Sequence, residues 1–185
     1  ASITIHGSKE DQTIGLGGSP SPSKNMWVSD AEFGRILSAG GLQVGSSQIL
    51  AMSVQGVTTA GSNGITNTVT LVATADDGTI YFEQASSSFY ALGAQADNGI
   101  VVSKKVTTTG GDFYFDADFE NNSAADGINK LTFTGGLVIY AKSKLSVEAT
   151  STTANAIYPA GAMTYRAGTG ISVDGDMRIQ ATGTL

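Results

Sequence analysis

The chain has 185 residues, of which 41 % are hydrophobic and 14 % are charged, with 24 glycines, 3 prolines and no cysteine. It is too apolar for a disordered chain and too poor in charge for a helical bundle, whose exposed faces need Glu, Lys and Arg. The net charge of -6 argues against a nucleic acid partner, because neutralising phosphates requires clustered Lys and Arg. No apolar run approaches the roughly 18 residues that cross a bilayer, so we expect no membrane insertion.

The first part of the chain combines a strand pattern, a loop composition and a helix signal. Residues 2–5 alternate in hydrophobicity and predict a strand. Residues 7–25 are rich in Gly, Ser and Pro, and we expect a loop there. Ser29 and Glu32 are spaced as a capping box, in which each side chain satisfies a free amide of the first helical turn. They predict a short helical turn over residues 29–37. Trp27 is expected to pack over the edge of the structure.

From Gly41 onward, short segments alternate with period two and are separated by turns that contain Gly. Each such segment is predicted to be a strand with one face turned inward. The alternating pairs include Leu42/Val44, Met52/Val54, Val69/Leu71, Ile80/Phe82, Leu131/Phe133, Leu145/Val147 and Ile171/Val173.

The strand pattern nearly repeats itself after 26 positions in the last third of the chain. This shift places Leu131 on Ile157, Ile139 on Tyr165, and Leu145-Ser146-Val147 on Ile171-Ser172-Val173. Similar intervals, 27 from Leu42 to Val69 and 28 from Met52 to Ile80, occur earlier, although the middle of the chain breaks the rhythm. A meander or a sandwich would also show short strands, but matching intervals indicate stacked repeats. We therefore predict an all-β fold, a parallel β-solenoid of about 26 residues per coil that forms one segment over residues 1–185 and belongs to a larger repeat protein.

Two phrases of the sequence carry a resemblance. The runs Val28-Ser29-Asp30-Ala31-Glu32-Phe33-Gly34-Arg35-Ile36 and Met52-Ser53-Val54-Gln55-Gly56-Val57 resemble phrases of large secreted repeat proteins of the filamentous-haemagglutinin and autotransporter-passenger type. The likeness extends over about residues 26–182. It implies a right-handed parallel β-helix, located outside the cell or at its surface, that serves as part of a shaft, filament or adhesin.

No catalytic set stands out, so the hypothesis is a structural or adhesive module that is not an enzyme and needs no cofactor. It would bind through strand edges and extended faces. The open ends of a solenoid are association sites, so the expected partners are other copies or further coils stacked head to tail, with surface glycans or proteins as additional ones.

One acidic cluster suggests a calcium ion. Asp116, Asp118 and Glu120 have the every-second spacing of the first ligands of a calcium loop. The match then fails, because Asn121 stands where a Gly is needed and Gly127 where a bidentate Glu belongs. The alternative is a solvated acidic ridge on the outward face of a strand.

The alternative function is a carbohydrate-active β-helix enzyme of the polysaccharide lyase or glycosidase type. Such chemistry needs two acids in a cleft, or an acid beside a basic residue. The candidate pairs are Asp76/Asp77 and Asp174/Asp176, with Arg166 or Arg178 as the nearest basic residue. Each acidic pair adjoins a Gly turn, however, where Asp is also favoured for backbone reasons.

Overall fold

The computed structural model describes residues 1–20, 23–120, 129–149 and 156–178. Within these residues the chain is mostly strand, which confirms the all-β prediction, and the strands form three sheets in which all pairs are parallel. We call them sheets A, B and C. None of the three closes on itself, since each has two edge strands.

With one exception, neighbouring strands within a sheet are not consecutive in the chain, because strands of successive circuits lie side by side. Sheet A contains β1 (Ile3–Ile5), β4 (Leu42–Ser46), β6 (Thr68–Ala73), β9 (Ala91–Ala96), β12 (Phe113–Asp116), β15 (Lys144–Glu148) and β18 (Gly170–Asp174). Sheet B contains β16 (Ile157–Pro159), β13 (Leu131–Phe133), β10 (Ile100–Val102), β7 (Thr79–Phe82), β5 (Ile49–Val54), β2 (Gln12–Leu16) and β3 (Met26–Val28). Sheet C contains β17 (Thr164–Ala167), β14 (Val138–Ala141), β11 (Val106–Thr108) and β8 (Ser87–Phe89).

Successive strands visit the sheets in rotation. From β6 onward the chain passes through A, B and C and then returns to A, so each strand pairs with strands of the previous and the next circuit. Parallel strands require such crossovers, because a tight hairpin can join only antiparallel neighbours.

The inward side chains form rows that run from circuit to circuit. In sheet A, Leu42, Val69, Leu92, Phe113 and Leu145 are successive register partners, and all are buried. A second row in sheet B joins Met52, Ile80, Ile100, Leu131 and Ile157. These rows bury apolar surface between circuits, which is the main favourable term in folding.

The predicted intervals agree with these registers at both ends of the chain. Leu131 pairs with Ile157 and Leu145 with Ile171, each 26 positions apart, and Leu42 pairs with Val69. The interval is not constant, because Ile80 pairs with Ile100 after 20 positions. The number of residues between register partners therefore varies from one circuit to the next.

The expectation of a loop over residues 7–25 is wrong for part of that range. Residues 12–16 form β2, whose last three residues are buried. Trp27 lies in β3, the edge strand of sheet B, opposite Gly15 of β2. Its indole Nε1–H donates to the Gly17 carbonyl at 3.0 Å. Glycine at position 15 makes room for the Trp27 ring, because a Cβ added there would overlap it. Residues 21–22 lie outside the described residues.

The predicted helical turn is confirmed as α1 (Asp30–Phe33), which begins at the capping box of Ser29 and Glu32. The Glu32 carboxylate accepts from the Ser29 N–H and hydroxyl at 2.9 and 2.7 Å, and these bonds hold the pKa of Glu32 below its usual value. The helix ends at Phe33, earlier than the predicted limit of 37.

A second short helix, α2 (Thr59–Ser62), lies against α1. The two carboxylate oxygens of Asp30 accept from the Thr58 N–H and hydroxyl at 2.8 and 2.7 Å. In the next circuit, β8 occupies the position that α2 has in its own circuit, since β8 lies against α2 and the Ser88 N–H donates to Val57 O at 2.8 Å. Two helical turns thus precede the first strand of sheet C. No helix in the described part of the chain is long and apolar enough to cross a bilayer.

Candidate functional site

A shallow groove of about 390 Å³ lies on the outward face of sheet A, over β12, β15 and β18. Alternation turns Phe113 and Phe115 of β12 into the core, so that Tyr114 points outward. The same alternation places Ser146 and Glu148 of β15 on the outer face. The register of the three strands therefore decides which side chains line the groove, because residues that are register partners lie side by side across it.

Two rows cross the groove. Tyr114, Ser146 and Ser172 are register partners in one row. In the next row, Asp116 is the partner of Glu148, and Glu148 that of Asp174. Three carboxylates thus lie on adjacent strands, which are about 4.8 Å apart in a sheet.

The Tyr114 hydroxyl links two of these acids. It donates to Glu148 Oε2 at 2.8 Å and lies 3.1 Å from Asp116 Oδ2. A phenol has one hydrogen, so it can donate fully to one carboxylate at a time. A protein hydroxyl therefore bridges the two acids, at the place where a glycosidase would bind a water or a glycosidic oxygen.

The electrostatics of this trio follow from burial. Burial raises the pKa of Asp116, and the nearby Glu148 charge raises it further, while the hydrogen bond from Tyr114 lowers it. Burial and the hydrogen bond to Glu148 also raise the pKa of the Tyr114 phenol. Tyr114 therefore remains a neutral donor, and Asp116 holds its proton more tightly than a solvated aspartate does.

The calcium candidates Asp116, Asp118 and Glu120 differ in their surroundings. Asp116 and Asp118 are buried, whereas Glu120 is exposed. The Asp118 N–H donates to Asp116 Oδ1 at 3.4 Å. Among the described residues, no group of three or more His, Cys, Asp or Glu side chains is placed to hold a metal ion, and Asn121 and Gly127 lie outside that part of the chain. A calcium ion held by these three residues stays a prediction, while the solvated ridge does not describe Asp116 and Asp118.

The two acidic pairs proposed for an enzyme lie in different parts of the structure, and Asp76 lines a hollow with Glu10 and Asp11, away from the groove. Asp174 lies in the groove, and the Asp176 carbonyl accepts from the Ile157 N–H of sheet B at 3.0 Å. Asp77 lies at a corner, where its Oδ1 accepts from Asn98 Nδ2 at 2.9 Å.

The basic candidates do not line the groove. The Arg166 guanidinium lies 5.7 Å from the centre of the Tyr140 ring on sheet C. The Arg178 N–H donates to Ile157 O of sheet B at 3.1 Å. The structure therefore places neither Arg166 nor Arg178 in the groove with Asp174.

Sequence reasoning missed the cluster of Tyr114, Asp116 and Glu148. The 26-residue shift did align Glu148 with Asp174. The partner of Glu148 on the other side, Asp116, is 32 positions away, so the repeat interval gave no signal for it.

Comparison with known proteins adds no relative. No family model, no curated protein and no solved structure matches this chain.

Proposed function

We propose that this chain is a right-handed parallel β-helix that serves as a structural or adhesive module, as part of an extracellular shaft, filament or adhesin. The rotation of successive strands through sheets A, B and C supports the winding, as does the pairing of each strand with the circuits before and after it. The handedness follows from the general preference of parallel crossovers, about 98 % of which are right-handed. The extracellular location rests on the resemblance of the sequence to secreted repeat proteins.

The exposed end of a buried row is the observation that carries this proposal. Leu145 is 0 % exposed, but its register partner Ile171 is 50 % exposed, and Val173 is 42 % exposed beside Val147 at 1 %. Ile171 and Val173 have the strand positions of core residues without the burial. A further layer of strand would remove them from water and would pair the edge of β18.

A second copy of the chain offers a strand of matching character. β1 is the opposite edge of sheet A and runs parallel to the other strands. Its Ile3 begins the same row that ends at Ile171, and Ile3 is 37 % exposed. Copies joined from β18 to β1 would form a head-to-tail contact, which extends into a filament when it does not close.

The test is the self-association of the full chain. Sedimentation velocity over a concentration series should show growing assemblies, and electron microscopy should show rods. The double variant Ile171→Lys/Val173→Lys should raise the dissociation constant at least tenfold, because it places two charges in the contact.

Ser172→Lys is the matched control, since Ser172 lies between the two residues but on the outward face. It should associate like the wild type. Wild-type chain that stays monomeric throughout the series, or a double variant that associates as the wild type does, would contradict the head-to-tail partner.

The groove is the observation that favours the alternative, a carbohydrate-active enzyme. Asp116 and Glu148 are two acids on neighbouring strands, and glycoside hydrolysis requires such a pair. The Tyr114 hydroxyl between them weighs against this function. An enzyme would release new reducing ends or unsaturated sugars from polysaccharides, and Glu148→Gln would abolish that release.

A further inference from the structure

The corner between sheets A and B gathers polar side chains that are shielded from water. The chain leaves sheet A after β6, β9 and β12 and enters sheet B at β7, β10 and β13. In the later two of these passages, Asp97, Asn98, Asp118 and Asn129 are 4, 7, 0 and 1 % exposed. Polar side chains at turns usually face solvent, so burial of four in one corner calls for a physical reason.

Hydrogen bonds connect three successive passages of this corner. Asn98 Nδ2 donates to Asp77 Oδ1 at 2.9 Å, and the Asp77 N–H donates to Asp97 Oδ2 at 2.9 Å. The Asn129 N–H donates to Asn98 Oδ1 at 3.2 Å. The side chains of Asp77, Asp97 and Asn98 and the backbone of Asn129 therefore belong to one cluster.

The side chain of Asn129 is the unsatisfied member of the cluster. Both its Oδ1 and its Nδ2 are buried and have no hydrogen-bond partner among the described residues. Its backbone also has a φ of 39°, in the left-handed region that Asn tolerates better than most residues. A buried amide without partners is costly, and this one lies inside a corner that already holds carboxylates. The Oδ1 atom of this amide is suited to coordinating a cation that binds oxygen ligands.

Asp118 enters the same corner from the neighbouring circuit. Gln95 of β9 and Asp116 of β12 are register partners. Asp97 and Asp118 each follow one of these partners by two residues, so they occupy equivalent positions on neighbouring circuits. The Phe119 N–H donates to Ala96 O at 3.0 Å, which holds the two segments together past the strand ends. Two buried carboxylates thus lie on neighbouring circuits of one corner, and a bound cation would offset the cost of burying them.

We propose that this corner binds one Ca²⁺ ion through the carboxylates of Asp97 and Asp118 and the side-chain oxygen of Asn129. All three donors are hard oxygens, which Ca²⁺ prefers, and the remaining positions of its six to eight ligands would be backbone carbonyls and water. The donors come from two circuits, so the ion would fasten one coil to the next. This site retains only Asp118 of the three residues that the sequence suggested, and it does not depend on the proposed adhesive function.

The test uses the full chain freed of metal by a chelator and dialysis. Isothermal titration with CaCl₂ should give one ion per chain, and added CaCl₂ should raise the melting temperature relative to chelator, because an ion that binds only the folded state stabilises it. MgCl₂ should bind more weakly, since Mg²⁺ demands a stricter octahedral geometry.

Variants assign the site. Asp97→Asn, Asp118→Asn and Asn129→Gly should each weaken Ca²⁺ binding at least tenfold, and Asn129→Asp should preserve it because an oxygen donor remains. Gly keeps the left-handed backbone at position 129, so Asn129→Gly removes the amide without straining the chain. Asp174→Asn, in the groove on sheet A, is the control and should bind as the wild type does.

Three outcomes would overturn the proposal: no heat and no change in melting temperature with CaCl₂, wild-type affinity in Asn129→Gly, or loss of binding in Asp174→Asn alone. Where the two Asp variants fail to fold, as judged by circular dichroism, the comparison of Asn129→Gly with Asn129→Asp decides the question.

Discussion

At the scale of single residues, Asp116 shows how neighbours decide the state of a side chain. Alternation along β12 places it on the outward face, where a carboxylate is normally solvated. It is buried instead, because Tyr114 and Glu148 lie against it. The capping box of Ser29 and Glu32 was predictable because its partners are three residues apart. Asp116 was not, since its surroundings come from a distant strand.

Asp116→Asn should stabilise the protein at neutral pH. The folded-state pKa of Asp116 is raised, so the ionised form weakens the fold and protonation strengthens it. The amide removes the buried charge beside Glu148 and offers that carboxylate a donor. Thermal melts in chelator should therefore show a higher melting temperature for the variant at pH 7.

The pH dependence checks the cause. The advantage of the variant should shrink as the pH falls through the folded-state pKa towards the ordinary value of 3.8, because Asp116 of the wild type then becomes protonated. An advantage that is constant between pH 7 and pH 4 would show that repacking, and not charge, is responsible.

At the scale of elements, β2 and β3 show what a Gly-rich stretch can conceal. Composition predicted a loop over residues 7–25, yet Gly15 lies in a paired strand because its missing side chain leaves space for Trp27. A glycine in the sequence is usually taken to indicate a turn, whereas Gly15 in β2 allows the side chain of the neighbouring strand to pack closely against the backbone. Nothing local in the sequence links Gly15 with Trp27.

Gly15→Ala should dislodge Trp27. The added methyl group would occupy the place of the indole ring, so we expect a loss of about 1–3 kcal/mol in the free energy of unfolding, as overpacking usually costs. Trp27 is the sole tryptophan, so its emission should shift to longer wavelength as the ring becomes more exposed.

Gly93→Ala is the matched control in another strand. Its added Cβ would have its nearest neighbours, the methyl groups of Thr68 and Thr70, at 3.9 and 4.0 Å, which is ordinary contact. Its emission should match the wild type. An unchanged emission in Gly15→Ala would mean that the ring does not lie over Gly15.

At the scale of the whole molecule, stability comes from rows that cross every circuit. Leu145→Ala interrupts the row between Phe113 and Ile171. It should lower the free energy of unfolding by about 2–5 kcal/mol, the usual cost of truncating a buried leucine. Denaturant titration would measure this loss.

Ser146→Ala in the same strand is the control for Leu145→Ala. Ser146 faces the groove, so its truncation should change the free energy of unfolding by no more than about 0.5 kcal/mol. Equal effects of the two variants would contradict the assignment of inward and outward faces.

Strand rows could be predicted from the sequence wherever the circuits have similar lengths. The intervals from Leu131 to Ile157 and from Leu42 to Val69 were visible for that reason, and both are true register pairs. Between Phe113 and Leu145 the interval grows to 32, because more residues separate β12 from β13 than separate β9 from β10. A corner can lengthen without disturbing the strands, since each circuit contacts only its neighbours. The groove on sheet A crosses this irregular circuit, so its acidic row was hidden.

The substitution of α1 and α2 for strands has a consequence for anything that lies along the molecule. In the part of the chain that the structure describes, sheets A and B each offer seven adjacent strands, whereas sheet C offers four. A long, regular partner such as a glycan chain would meet an unbroken ladder of evenly spaced side chains on two sides only. On the third side the ladder gives way to a pair of helical turns, so that side distinguishes one end of the molecule from the other.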